Sequence, residues 1–245
     1  MKNYTRFIKP AAVILAVVLA AGGFGACRAQ GENVSVDKGD FTELELYTGV
    51  SVTYVQGPYK PVKITGPKEK VALVEVKRDG NALEIRYKTP GRNNKINGND
   101  VKITVQAPSV HEFDLSVGAS LYIPGNYTTT GNVEFDLGTG AVVNAGPISA
   151  CKIEADCSTG AVLNLSGIKS KRMELDCSTG AVANLSGTTD YFGVDCSTGA
   201  QVKAAELKAQ TGDIDAGTGS QMEINILDVR SLETGIGAEV KNHAR

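Results

Sequence analysis

Apolar and polar residues alternate one for one along the C-terminal half of the chain. Ile153, Ala155, Cys157, Thr159, Ala161, Leu163 and Leu165 fall on one side, while Glu154, Asp156, Ser158, Val162 and Asn164 fall mostly on the other. The inward set returns at Leu175, Cys177, Thr179, Ala181, Ala183 and Leu185. A period of two marks strands with one buried face. No stretch beyond the first 29 residues sustains a helical period.

The alternation is organised into a repeat. The chain reads DLSVGASLYI from Asp114, DLGTGAVVNA from Asp136, DCSTGAVLNL from Asp156 and DCSTGAVANL from Asp176. It continues with DCSTGAQVKA from Asp195, DAGTGSQMEI from Asp215 and ETGIGAEVKN from Glu233, the starts lying 22, 20, 20, 19, 20 and 18 residues apart. A unit of this length, all strand and turn, cannot bury its apolar face alone, but stacked units can. The predicted fold is all-β: a right-handed parallel β-helix of coils of about 20 residues, with equivalent positions one strand spacing (about 4.8 Å) apart. Seven coils make a rod roughly 30 Å long. The Thr-Gly-Ala steps, such as Thr159-Gly160, bend the strand at one corner, where glycine permits a positive φ. Ser166-Gly167 and Ser186-Gly187 mark a second turn.

Residues 30–110 form a more irregular β-rich half, continuous with the regular coils of residues 111–245. Strand-like runs are Leu44–Val55, Pro61–Thr65, Ala72–Lys77, Ala82–Tyr87 and Val101–Gln106, and Thr48-Gly49-Val50 followed by alternating Val52 and Tyr54 resembles a diverged coil. Gly91–Asp100 reads as an Asn/Gly-rich excursion. This half is expected to begin and cap the solenoid.

Composition agrees with many tight turns: 28 of 245 residues are glycine, without a collagen period. Residues 1–29 read as a secretory signal, with Lys2, Arg6 and Lys9 ahead of an apolar run at 11–21 and a small-residue exit. Cys27 after Gly25-Ala26 suits lipid attachment and anchoring to a membrane, whereas cleavage after Ala29 gives a soluble periplasmic or secreted chain. Removal of residues 1–29 changes the net charge from −2 to −6, with 21 basic against 27 acidic residues. An acidic exported chain offers nothing to a nucleic-acid partner.

Several segments resemble the head GIN domain family of putative auto-transporter adhesins. They are the signal, Phe41-x-x-Leu44 leading into Gly49–Val52, the Gly80–Ile85 segment (Gly-Asn-x-Leu-x-Ile), the Val101–Pro108 segment (Val-x-Ile-x-Val-x-Ala-Pro), and the glycine-alanine coils. The resemblance implies a right-handed β-helix at the cell surface or in the periplasm. It implies no catalytic site.

The recurring acids are the most conspicuous chemistry. Asp114, Asp136, Asp156, Asp176, Asp195, Asp215 and Glu233 share one repeat position, and Glu112, Glu134, Glu154 and Glu174 share another. Stacked like charges repel by nearly 1 kcal/mol per neighbour even at the dielectric of water. Backbone N–H groups at the turn, with Lys152 and Arg172 alongside, relieve this in one reading. In the other, Ca²⁺ bridges carboxylates of adjacent coils, with Asp136, Asp156, Asp176 and Asp195 as metal candidates. Cys157, Cys177 and Cys196 share one inward position near Cys151 and read as apolar filler, since Leu115, Leu137 and Ala216 take the same slot. A column of sulfurs suits neither tetrahedral zinc nor disulfide geometry. Ser158, Ser178 and Ser197 repeat without a histidine partner, the only histidines being His111 and His243.

The sequence therefore predicts a non-enzymatic cell-envelope or surface protein, an adhesin or ligand-binding module for a glycan or a protein. The alternatives are a polysaccharide-cleaving β-helix enzyme and a surface scaffold that self-associates through the open strand edge of its last coil.

Overall fold

The computed structural model describes residues 41–47, 49–88 and 101–244. The predicted export signal, Cys27 and the predicted Gly91–Asp100 excursion lie outside the described residues.

The 18 strands form one continuous sheet wound into a β-solenoid. In-register parallel pairing holds it together. Lys152–Cys157 pairs with the preceding Asn132–Leu137, residue for residue, and with Arg172–Cys177 of the next coil. A representative coil has three stretches, Asn132–Leu137, Val142–Ala145 and Ile148–Ser149. Further on, the bends become gentler, and strands such as Val162–Cys177 run through them, with a register shift between Leu165 and Ile168.

The first bend is a four-residue turn. In Ser158-Thr159-Gly160-Ala161 the Ala161 N–H donates to the Ser158 carbonyl at 2.9 Å, and Gly160 has φ +66°. A positive φ at the third position is the type II requirement, which explains the glycine. The Gly160 N–H in turn donates to the Thr179 carbonyl of the next coil at 3.1 Å, so the corners are bonded to one another along the rod. Strict alternation carried through this turn would place Thr159 and Thr179 inside. Both are exposed, because the turn reverses the chain between the inward Cys157 and Ala161 and throws its tip outward.

The core is a set of stacked columns. Ile153, Ala155, Ala161, Leu163, Ile168 and Met173 are all at most 1% exposed. The N-terminal rungs carry the larger fillers. The rings of Phe113 and Phe135 stack with centroids 5.2 Å apart, and Tyr54 and Tyr127 meet Phe113 at 5.4 and 6.1 Å. The two buried phenols donate to the Ala107 and Val110 carbonyls at 2.8 and 2.7 Å. Cys157, Cys177 and Cys196 form the expected inward column, in register with Leu115, Leu137 and Ala216. They are free thiols. Hydrogen bonding to Cys177 and burial push the Cys157 and Cys196 thiols well up, whereas Cys177, bonded to both, is shifted down.

The N-terminal half follows the same winding, but out of chain order. β1 (Glu43–Leu46) and β2 (Ser51–Gln56) form a coil around the Gly49 corner, where φ is +71°. They divide what the sequence suggests as one run, Leu44–Val55. β3 (Lys60–Thr65) leads into a four-residue helix, α1 (Lys68–Val71), and β4 (Val74–Asp79). β4 starts two residues later than predicted because α1 and its C-terminal cap consume the preceding positions. β5 (Ala82–Tyr87), β6 (Lys102–Ala107), β7 (Glu112–Leu115) and β8 (Ser120–Ile123) complete this half. β1 lies between β5 and β7, and β2 between β6 and β8, all parallel. The first coil in sequence is therefore the second in space. β3 and β4 pair antiparallel with β6 and β5, covering the edge of this end.

Candidate functional site

In-register parallel stacking turns each outward repeat position into a column along the rod. Two kinds of column stand out, on successive stretches of the coil joined by the Ser-Thr-Gly-Ala corner.

The first is acidic. Pairing aligns Glu84, Glu45, Asp114, Asp136, Asp156, Asp176, Asp195, Asp215 and Glu233 in nine consecutive rungs. Glu43, Glu112, Glu134, Glu154 and Glu174 align in a parallel column of five. The structure thus brings together all the predicted acids and adds Glu43, Glu45 and Glu84, which the repeat does not reveal. Partial burial, reinforced by Glu134 and by Asp156 and Asp114 above and below, raises Asp136 to about 6. Burial and Asp156 raise Asp176 to about 6, and Asp114 and Asp195 are also shifted up.

The predicted relief of this repulsion is only partly present. The Lys152 ammonium pairs with Glu154 at 2.7 Å and also with Glu174, and the Arg172 guanidinium holds Glu174 at 2.8 Å. These cations serve the glutamate column and hold Glu174 below the usual carboxylate range. At the N-terminal end, the Tyr47 hydroxyl donates to Glu45 at 2.7 Å, and Lys77 lies 3.8 Å from Glu84. From Asp114 to Asp215, among the described residues, no backbone N–H donates to the aspartates and no cation pairs with them. Among the described residues, no group of three or more His, Cys, Asp or Glu is arranged to hold a metal ion, and Asp136, Asp156, Asp176 and Asp195 stand in a straight file.

The second column is uncharged at its centre and was not singled out by the sequence. Tyr122, Asn144, Asn164, Asn184 and Lys203 follow one another in register. The Asn164 amide donates to the Asn144 carbonyl oxygen at 2.8 Å, and the Asn184 amide to that of Asn164 at 2.6 Å. Each amide has two N–H groups and an oxygen with two lone pairs. Two bonds within the trio therefore leave four donors and four acceptors free to face solvent. The column lines a groove of about 510 Å³ that also includes Leu165, Ser166, Leu185, Ser186 and Glu206. Tyr122 is 52% exposed at one end of it. The signal was present in the sequence, since each Asn lies eight residues after Asp136, Asp156 or Asp176.

Among the described residues, neither histidine is paired with a serine or cysteine side chain. The His111 ring contacts the Ser109 backbone carbonyl at 3.3 Å, and His243 lies 3.8 Å from Glu223. Ser158, Ser178 and Ser197 are exposed corner residues.

The family described as "Putative auto-transporter adhesin, head GIN domain" matches residues 40–229. The chain belongs to this family. No curated protein matches it. Among solved structures, it is similar to a putative adhesin from Bacteroides fragilis (16% identity, TM-score 0.59, covering 83% of this chain and 93% of that one). It is also similar to a putative lipid binding protein from Parabacteroides distasonis (15%, 0.68, 86% and 96%) and a putative adhesin from Parabacteroides merdae (14%, 0.68, 87% and 95%). At these identities the likeness establishes the fold, which this head GIN domain shares with those proteins. Among its described residues, no helix is long and apolar enough to cross a membrane.

Proposed function

We propose that this head GIN domain is a non-enzymatic binding module of the cell envelope that takes a surface ligand, a glycan or a protein, in the asparagine groove. The observation that carries this reading is the bonded Asn144–Asn164–Asn184 trio. Its amides are held in place by each other, so little side-chain freedom is lost when a ligand pairs with them. The family description as an adhesin and the export signal support a location outside the cytoplasm, with Cys27 as the lipid-bearing residue if the chain is anchored. The acids recur on every rung, which argues for a structural period rather than for one glycan-cleaving site.

Glycan and protein arrays probed with the exported protein test this. Ligands captured by the wild type and lost by an Asn164→Ala, Asn184→Ala variant are the expected result. Capture undiminished in that variant, or cleavage products released from a glycan, would overturn it.

A second reading has its own observation. Leu227, Leu232 and Ile236 are 58%, 53% and 86% exposed on the last rungs. Exposed apolar residues at an open strand edge favour self-association. Light scattering that shows only monomer over a wide concentration range would remove this reading.

A further inference from the structure

The groove has a direction, a repeat and a charge balance, and together these restrict its ligand. Its polar groups recur once per rung, at about 4.8 Å. Tyr122, with its half-exposed aromatic face, and Lys203 stand on the first and last of five rungs. The centre is uncharged and presents donors and acceptors in equal number. The charged side chains in its wall are one cation, Lys203, and one anion, Glu206, so the groove carries no net charge. The stretch of coil just before the corner carries the nine-rung carboxylate column.

Resting on the binding role argued above, we propose that the ligand is a neutral, linear, β-1,4-linked glycan laid along the solenoid axis, one sugar per rung. Such a chain is an extended ribbon that advances by close to a strand spacing per sugar. Successive sugars of the ribbon are flipped relative to one another, but both edges of each carry a hydroxyl that can donate to and accept from the asparagine of its rung. Tyr122 closes one end by stacking on a sugar face, for which an aromatic ring supplies apolar area and its hydroxyl a polar edge. A uronate-bearing chain would place a carboxylate on each rung of a groove whose wall offers one cation, Lys203, already balanced by Glu206. Exclusion of the wrong ligand by repulsion is as much a source of selectivity as attraction of the right one.

The test is calorimetric titration of the exported protein with β-1,4-mannooligosaccharides of increasing length and with β-1,4-oligomannuronates of the same lengths. Cello- and chito-oligosaccharides serve as further neutral probes. The expected result is affinity that climbs with the length of a neutral chain and levels off at about five sugars, the number of rungs at the strand spacing. Mannuronates should bind about tenfold more weakly or worse, with the gap narrowing as salt is added. Tyr122→Ala and Asn164→Ala should each weaken the neutral ligand about tenfold, the equivalent of one lost bonded or stacked contact. Three results overturn the proposal: no dependence on length, mannuronate binding as tight as mannan binding, or no binding to any of the neutral series. In the last case, protein ligands captured on the array and lost with Asn164→Ala, Asn184→Ala would leave the binding role standing, while loss of both would remove it as well.

Discussion

The acidic column makes a prediction whose sign runs against ordinary experience with carboxylates. Asp136 lies between Asp114 and Asp156 at one strand spacing on either side. At about 4.8 Å and the dielectric of water, each neighbour costs about 0.9 kcal/mol. Screening at physiological salt roughly halves that, so the two together cost about 1 kcal/mol, to which partial desolvation of the charge adds. Asp136 titrates at about 6 in the folded chain against 3.8 ordinarily, so between these values the folded state holds the extra proton. Stability linked to this group therefore falls as pH rises from about 4 to about 6, and the cost is fully present above pH 6. Asp136→Asn keeps the shape and removes the charge. It should raise Tm by about 2–4 °C at pH 7.5 in low to moderate salt. The gain should shrink through the window and vanish near pH 4, and added salt should reduce it. Thermal melts at four pH values, each at two salt concentrations, suffice. A lower Tm at pH 7.5, or an equal rise at pH 4, would refute the reasoning, since either shows that the Asp136 carboxylate makes a favourable contact that the column geometry does not contain.

Other substitutions probe separate parts of the rod. Phe113→Ala removes the ring that stacks on Phe135 and meets Tyr54 and Tyr127, and should cost about 3–5 kcal/mol by urea unfolding. Gly160→Ala meets no atom within 4 Å, so only its backbone strain of about 1–2 kcal/mol is expected. Gly167→Ala has the same strain at φ +60° and also sets its methyl 2.9 Å from Pro147 Cβ, so it should lower Tm further than Gly160→Ala. Thiol titration of the folded protein should label Cys151, which is half-buried, while Cys157, Cys177 and Cys196 react only on unfolding.

The regular coils were legible because their period is written in the sequence: an inward position recurs every 18–22 residues, and the corners carry their own glycines. Column membership followed by counting. Counting fails where the chain leaves the period. Glu45 and Glu84 join the aspartate column only because β1 sits between β5 and β7, and adjacency in space that departs from adjacency in sequence leaves no repeat to count. Alternation misplaces Thr159 for a local reason, since it describes strands and not the turn between them. The asparagine groove was as visible in the repeat as the acids. Asn144, Asn164 and Asn184 are neither charged nor nucleophilic, and their significance lies in the bonds that stacking allows them to make.

That contrast bears on how such a rod acquires a binding face. In a parallel in-register stack, every outward residue type is multiplied by the number of rungs, so its interaction with itself decides the energy of the whole column. Asparagine is self-complementary: its amide donates to the neighbour below and accepts from the neighbour above, and polarisation along the chain strengthens each bond. Aspartate has acceptors only when ionised, so a column of it accumulates repulsion until partners or protons intervene. The glutamate column has acquired such partners in Lys152 and Arg172, whereas the aspartates from Asp114 to Asp215 have none among the described residues. The asparagine face is thus ordered before any ligand arrives, while the aspartate face is held in place by the core beneath it. A ligand that settled on the first would gain bonds without having to rigidify it.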